Sequence, residues 1–198
     1  MNKDTDRVLK LPCITQRTTE WHNIRKNLLT ASDVPAAIGD SKYKSINALL
    51  KQKCGLSKEF KGNYVTEHGV IFERKAIELY EQQYDDKCYD TGLYIHPDHA
   101  WLGCSPDGIT EKGYLVEVKC PVYREINDDI PVHYYGQIQT QLECLDVETC
   151  VFIQYHHKTE KLHVSFVPRD REWFSTNFPK MKEFWDNVIR TRKSIIDV

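Results

Sequence analysis

The spacing of the apolar residues changes at about residue 87, and this change constrains the fold more than any other feature of the chain. Residues 64–84 carry apolar side chains at the intervals of an α-helix. From residue 87 the pattern is that of short strands, over 87–96, 99–108 and 113–121, with turn-forming residues between them. Three strands in succession favour a meander. The side chains of the helix expected to turn inward are Val70, Ile77 and Tyr80, or Ile71 and Phe72.

Further helices and strands are predicted on both sides of this central part. Three residues with hydroxyl side chains are suited to cap a short helix: Thr19, Ser32 and Ser45. The segments after the central strands are a helix over 133–145, strands over 149–157 and 161–169, and a helical region from Asp170 that is interrupted at Pro179. This order predicts an α/β (mixed α+β) fold class, in which a central mixed β-sheet is flanked by helices.

The length and composition favour one ordered domain over 1–198. With 198 residues, of which 40% are hydrophobic, the chain can bury one sizeable core. It has no apolar run of the ~20 residues that a membrane span requires, and residues 1–10 lack the apolar stretch of a signal peptide. The seven cysteines include no CxxC pair, which is typical of reduced thiols. We expect a cytoplasmic or nuclear protein that is not secreted and has no membrane partner.

Charge is distributed unevenly along the chain. Basic residues outnumber acidic ones 11 to 6 in residues 1–60 and 9 to 6 in residues 151–198, whereas residues 61–150 hold 7 basic and 17 acidic residues. So many carboxylates repel one another unless cations neutralise some of them. An acidic centre between basic ends suits a metal site that a polyanion approaches. Acidic surface helices and loops would account for the same distribution.

Residues suited to catalysis are concentrated between Asp107 and Lys119. Glu117 and Lys119 point to the same face of a predicted strand because side chains alternate. The short turn at 109–113 brings Asp107 next to Glu117. Two carboxylates this close disfavour joint ionisation unless a divalent cation lies between them. Lys119 could then position or deprotonate a water, or neutralise excess negative charge. A common cross-strand salt bridge is the structural alternative.

Five segments resemble the lambda exonuclease and YqaJ-type viral recombinase family, which is a branch of the PD-(D/E)XK nuclease superfamily. They occur in the family's order with similar spacing, and their joint occurrence is more specific than any one of them. The segments are WHNIRKNLLTAS (21–32), HGVIFERKAIELY (68–80), GCSPDG (103–108), LVEVKCPVYR (115–124) and YYGQIQTQL (134–142). The resemblance implies a restriction-endonuclease-like PD-(D/E)XK core.

The resemblance also implies a role for each residue of a catalytic centre. Asp107 and Glu117 would bind the metal, together with the main-chain carbonyl of Val118. Lys119 would be the catalytic lysine. Glu73 would complete the acidic cluster from its helix, as a ligand of the metal or of a water. The implied cofactor is Mg²⁺, with Mn²⁺ as a substitute.

A second set of residues is implied to bind DNA. The 5′-phosphate pocket would contain Arg25, Ser32, Ser105 and Arg124, and Gln137 and Gln139 match a Gln-x-Gln helix that lies against the active site and the DNA backbone. An arginine fork and a serine at a helix start suit phosphate oxygens. A surface arginine and an N-cap serine would have the same sequence. Helical spacing places Gln137 and Gln141 on one face and Gln139 on the opposite flank.

The function implied by the resemblance is a Mg²⁺-dependent 5′-to-3′ exonuclease acting on double-stranded DNA. Its partners would be duplex DNA ends and a single-strand annealing protein that uses the 3′ overhangs in viral or phage-type recombination. A homotrimer is an open expectation, because some segments are shorter than in the lambda enzyme. Two alternatives remain, namely an endonuclease or flap nuclease of the same superfamily and a DNA-end-binding module without catalysis. The domain would divide into a helical DNA-end-binding part at about 1–60, a catalytic core at about 61–170 and a C-terminal helical region at 170–198.

Overall fold

A computed structural model describes residues 1–58 and 62–196 of the chain. The described residues form seven helices and nine strands. In chain order the elements are α1 (Lys3–Lys10), β1 (Ile14–Thr15), α2 (Thr19–Lys26), β2 (Leu29–Thr30), α3 (Val34–Ile38), α4 (Ile46–Lys53), α5 (Tyr64–Tyr84), β3 (Cys88–Tyr89), β4 (Gly92–Ile95), β5 (Leu102–Cys104), β6 (Gly108–Thr110), β7 (Leu115–Lys119), α6 (Val132–Leu145), β8 (Thr149–His156), β9 (Lys161–Pro168) and α7 (Arg171–Ile196).

A five-stranded mixed sheet forms the centre, in the order β3-β6-β7-β8-β9. Its strands pair antiparallel except for β7 and β8, which run parallel. Side chains alternate along β7, so Leu115 joins the large core beneath α6 and α7. Val116 and Val118 join a second core beneath α5. The sheet is therefore covered by helices on both faces, and the predicted mixed α/β class is confirmed.

A second sheet of four strands, in the order β1-β4-β5-β2, was not predicted. The predicted strand 87–96 divides into β3 and β4, which belong to different sheets, so the expected meander is wrong. Gly92 explains part of this division. A Cβ atom at Gly92 would lie 2.7 Å from the Ile14 carbonyl oxygen, so only glycine lets β1 approach and pair with β4.

Helix α5 has the predicted bounds. Asn63 caps it in a capping box with Thr66, whose side chain bonds the Asn63 amide in return. Ile77 and Tyr80 are buried against the sheet, as expected. Val70 and Ile71 are 49% and 68% exposed, so their predicted inward orientation is wrong. In this half of the helix His68 is buried and Phe72 packs against the core, so the buried face differs from the one that includes Val70 and Ile71.

Three helix boundaries also differ from the prediction. The N-cap of α2 is Thr18 rather than Thr19. The N-cap of α3 is Asp33 rather than Ser32, because Leu29 and Thr30 form a short strand parallel to β5 and the helix begins later. Helix α7 continues through Pro179 without interruption. A proline removes one backbone hydrogen bond from a helix, and the burial of Met181 and Trp185 immediately beyond it favours the continuous helix. None of the helices in the described ranges combines the length and the apolar character that crossing a membrane requires.

Candidate active site

The hairpin formed by β6 and β7 brings Asp107 and Glu117 together. Gly108 pairs with Val116, and continuation of this register places Asp107 opposite Glu117. The Val118 amide donates a hydrogen bond of 2.7 Å to Asp107 Oδ2, which fixes the Asp107 carboxylate at the strand edge. The predicted metal ligands on the hairpin are therefore brought together.

Glu117 is only 1% exposed, and it is surrounded by hydrogen-bond donors. Gln137 and Gln141 of α6 donate to its two carboxylate oxygens at 2.8 and 2.7 Å. Lys119 forms an ion pair with the oxygen that Gln137 also contacts. A buried carboxylate is costly unless it is paired and hydrogen-bonded, and these donors compensate for that cost.

Lys119 is an ammonium group under the influence of two carboxylates. Burial opposes its charge, but Glu117 and Asp107 outweigh burial, so the pKa of Lys119 lies above its ordinary value. The Lys119 nitrogen is also 5.2 Å from the centre of the Tyr134 ring, which favours a cation. A charged Lys119 suits a positioning or charge-neutralising role better than removal of a proton from water.

Glu73 reaches the same centre from α5. Burial raises its pKa, Arg17 opposes this effect, and the charge of Glu117 adds to it. The Arg17 Nη2 atom lies 2.9 and 2.8 Å from the two oxygens of the Glu73 carboxylate. The charge of Glu73 therefore interacts with that of Glu117, and both oxygens of the Glu73 carboxylate accept hydrogen bonds from Arg17. No local motif marks Arg17, which is distant in sequence from every other residue of the centre, and the sequence analysis missed it.

The acidic cluster carries unrelieved repulsion. Burial raises the pKa of Asp107 well above its usual range, and the charges of Glu117 and Glu73 raise it further. A divalent cation between Asp107 and Glu117 would relieve this repulsion. Within residues 1–58 and 62–196, no group of three or more His, Cys, Asp or Glu side chains is arranged to hold a metal ion. The side chains that could hold a cation here are the two carboxylates of Asp107 and Glu117.

Three of the four predicted phosphate-binding residues are connected by side-chain contacts. Arg25 Nη2 donates to Ser32 Oγ at 3.1 Å. The Arg25 guanidinium also lies over the ring of Trp21, at 4.2 Å from its centre. The Trp21 indole donates to Ser105 Oγ at 3.0 Å. Burial lowers the pKa of Arg25, and the negative charges of Asp33 and Glu117 oppose this effect.

Arg124 is placed near Lys119 rather than beside Ser32. Its guanidinium lies 5.7 Å from the centre of the Tyr134 ring, and Tyr134 is the residue that also faces Lys119. Arg124 Nη1 donates to the Glu125 carbonyl, whereas its buried Nη2 has no partner among the described residues. A cavity of about 170 Å³ is lined by Ser32, Tyr134 and Gln137 among others.

Gln139 is not brought to the acidic cluster, and this corrects its predicted position. Its amide nitrogen donates to the Pro168 carbonyl at 3.0 Å, and its oxygen accepts from the Asp170 amide at 2.7 Å. Gln141 takes the place expected for Gln139. The i, i+4 spacing from Gln137 marked Gln141 as its neighbour on the helix, and that signal was the correct one.

These observations define the class of protein. Two carboxylates on adjacent arms of a hairpin, a lysine two residues after the second, and a mixed sheet between helices are the features of a PD-(D/E)XK fold. The family model of the YqaJ-like viral recombinase domain matches residues 20–148. The chain belongs to this family, and the resemblance noted from its sequence segments is confirmed.

Relatives and solved structures agree with this assignment. The chain is 32% identical to Uncharacterized protein R354 of Acanthamoeba polyphaga mimivirus over 171 residues, which are 77% of this chain and 31% of the relative. It is 30% identical to Protein D345L of African swine fever virus over 160 residues, which are 64% of this chain and 45% of the relative. The chain thus spans less than half the length of these curated relatives. The crystal structure of an alkaline exonuclease, LHK-Exo from Laribacter hongkongensis, shares the fold, with a TM-score of 0.76, 23% identity and coverage of 91% of this chain and 97% of that one.

Proposed function

We propose that this protein is a metal-dependent deoxyribonuclease that digests one strand of double-stranded DNA from a 5′ end. The observation that carries the proposal is the convergence of Asp107, Glu117 and Lys119 at the edge of one hairpin. Membership of a viral recombinase family and a fold shared with an alkaline exonuclease support the same activity.

Asp107 and Glu117, with the main-chain carbonyl of Val118, would hold Mg²⁺, and Mn²⁺ would substitute for it. A pair of carboxylates is a small donor set, but it suits Mg²⁺, which is commonly bound by one or two carboxylates together with waters and substrate phosphates. When bound, the ion would supply Lewis-acid stabilisation of the scissile phosphodiester and activation of the attacking water.

The side chains around Glu117 would keep the centre ready for the substrate. Gln137 and Gln141 hold the Glu117 carboxylate in one orientation, so it need not reorganise when DNA arrives. Lys119, as an ammonium group, would place the attacking water and offset the negative charge that develops on the phosphate. Glu73 would orient a water from the side of α5.

Recognition of the 5′ end would come from Arg25, Ser32 and Ser105, with Arg124 at the side of Lys119. Arginine matches phosphate oxygens with two parallel hydrogen bonds, and the stacking of Arg25 on Trp21 limits its movement. Digestion from a held 5′ end leaves a 3′ single strand. Such a product is the substrate of a single-strand annealing protein, which we propose as the functional partner.

The test is nucleotide release from linear duplexes that carry either a 5′ phosphate or a 5′ hydroxyl, with Mg²⁺ and with EDTA. We expect wild type to release nucleotides only with Mg²⁺ and faster from the phosphorylated end. Arg25→Ala should lose this preference selectively. A closed circular duplex should survive the same incubation. Rapid loss of the circle would favour an endonuclease, and binding of ends without nucleotide release in Mg²⁺ would contradict the proposed activity.

A further inference from the structure

Arg25 and Ser32 belong to a ring of polar contacts that also contains Thr30, Asp33 and Lys53. Lys53 Nζ donates to the carbonyl oxygen of Arg25 at 2.9 Å and forms an ion pair with Asp33 at 2.8 Å. Thr30 Oγ1 lies 2.9 Å from Asp33 Oδ2 and 3.1 Å from Ser32 Oγ. The hydrogen bond of 3.1 Å from Arg25 Nη2 to Ser32 Oγ completes the ring. We call these five residues the polar ring.

The direction of the hydrogen bonds in the polar ring follows from the charge of Asp33. Burial opposes that charge, but Lys53, helped by other nearby cations, more than offsets burial, so the pKa of Asp33 lies below its ordinary value. An ionised carboxylate can only accept. Thr30 therefore donates to Asp33, Ser32 donates to Thr30, and Arg25 donates to Ser32. Ser32 thus accepts from Arg25 and directs its one hydroxyl hydrogen to Thr30, so Asp33 sets the orientation of the Arg25 side chain through Thr30 and Ser32.

Asp33 departs from the usual behaviour of a residue in its position. It is the N-cap of α3, where an aspartate normally accepts a hydrogen bond from the first turn of the helix. Its side chain makes no such bond. The carboxylate points instead to Thr30 and Lys53. A local stabilising contact that is given up in this way is typical of a residue that serves a functional site.

The polar ring and its surroundings also carry an excess of positive charge. Lys44 Nζ lies 3.6 Å from the Asp33 carboxylate, on which Lys53 and Arg25 also act. Three cations thus surround one carboxylate beside Ser32. A phosphate monoester carries a charge of about −1.5 to −2 at pH 7, so a phosphorylated end complements this excess, whereas a hydroxyl end does not.

We propose that Thr30, Asp33 and Lys53 are positioning residues that, through Ser32, hold Arg25 in the geometry that selects a 5′-phosphorylated DNA end. The proposal rests on the proposed function for the identity of this ligand. Thr30 and Lys53 are only 1% and 6% exposed, so they act through Arg25 and Ser32 rather than by touching DNA.

The test is equilibrium binding of a hairpin duplex with one open end, which carries either a 5′ phosphate or a 5′ hydroxyl, in EDTA so that no cleavage is needed. The variants are Thr30→Val, which removes the hydroxyl at nearly constant volume, and Thr30→Ser, which keeps it. Thr5→Val is the matched control, because Thr5 is also fully buried and its hydroxyl donates to the Thr110 carbonyl at 2.7 Å, outside the polar ring.

We expect wild type to bind the phosphorylated end more tightly than the hydroxyl end. In Thr30→Val the ratio of the two dissociation constants should fall about five- to tenfold, the size expected when the net contribution of one ordinary hydrogen bond is lost. Thr30→Ser should restore the ratio, and Thr5→Val should leave it unchanged. An unchanged ratio in Thr30→Val, an equal loss in Thr5→Val, or a wild type that does not distinguish the ends would overturn the proposal. A wild type that distinguishes them in binding but releases no nucleotide with Mg²⁺ would contradict the proposed nuclease function while supporting this inference.

Discussion

The two faces of β7 differ in what they bury. On the side of α5, Val116 and Val118 pack against Ile77 and other apolar side chains. On the side of α6, the same strand buries the carboxylate of Glu117 among glutamine amides. Apolar burial stabilises the fold without specifying chemistry, whereas a buried carboxylate with fixed donors costs solvation and gains a defined orientation. One strand therefore combines an apolar face beneath α5 with a face that buries Glu117 beside the core residue Leu115, and substitutions of its apolar and its charged residues should differ in their effects.

The largest effect is expected from Lys119→Ala. Removal of the ammonium group should lower the rate of nucleotide release about 10²- to 10⁴-fold, the usual contribution of a side chain that assists proton transfer or charge neutralisation. The free energy of unfolding should fall as well, because Lys119 is the cation paired with the buried Glu117 carboxylate, but Gln137 and Gln141 still bond that carboxylate in the variant. Single-turnover digestion and chemical denaturation of the same preparations measure both quantities. If the variant digests DNA at the wild-type rate, Lys119 is not a catalytic residue.

Ile77→Ala should mainly lower stability rather than the rate of nucleotide release. Truncation of this buried side chain on the α5 face is expected to lower the free energy of unfolding by about 2–4 kcal/mol. The matched control is Ile71→Ala on the same helix, which should change it by less than about 0.5 kcal/mol because Ile71 is exposed. Urea denaturation followed by circular dichroism gives both values. Equal effects of the two substitutions would contradict the described orientation of α5.

Gln141→Leu and Gln139→Leu should have different effects, because the two side chains contact different parts of the protein. Loss of the Gln141 amide leaves one oxygen of Glu117 without this donor, so the rate constant for cleavage should fall about 10- to 100-fold, as is typical when an outer contact of a metal ligand is removed. Gln139→Leu should instead lower stability, since Gln139 bonds the main chain at Pro168 and Asp170. Steady-state kinetics beside thermal melting distinguish the two outcomes. If Gln139→Leu lowers the rate constant for cleavage more than Gln141→Leu does, then Gln139, and not Gln141, supports the catalytic centre.

The smallest effect is expected from Asp107→Asn in the metal-free protein. Because folding raises the pKa of Asp107, the stability associated with this group is lost as the pH rises from the ordinary carboxyl pKa, about 4, through the raised value. At pH 7 in EDTA the amide should therefore stabilise the protein, and this gain should vanish at pH 3. Addition of Mg²⁺ should stabilise wild type and not the variant. Melting curves of both proteins at pH 7 and at pH 3 show whether the variant is more stable than wild type.

The sequence was informative wherever local rules decide the structure. The bounds of α5 follow from its spacing and from capping by Asn63. The meeting of Asp107 and Glu117 follows from a short hairpin, which leaves few alternatives for the register. Contacts between distant segments were not predictable in this way. The pairing of Arg17 with Glu73 joins residues that are 56 positions apart, and no local pattern encodes it.

The glutamines of α6 illustrate a different limit. Helical spacing correctly grouped Gln137 with Gln141, whereas the motif resemblance named Gln139. A motif records which residue types recur, while the period of the helix determines which face each residue occupies. Ser32 shows the converse, since its type suited an N-cap but an unpredicted strand at Leu29–Thr30 moved the start of the helix to Asp33.

The measurement that tests the central claim most directly is the release of mononucleotides from a 5′-phosphorylated linear duplex by wild type and by Glu117→Gln, with Mg²⁺ and after its removal. If the pair of carboxylates on the hairpin is the cleaving centre, wild type with Mg²⁺ releases nucleotides and the other three combinations do not. Sustained release by Glu117→Gln, or by wild type in EDTA, would contradict the account.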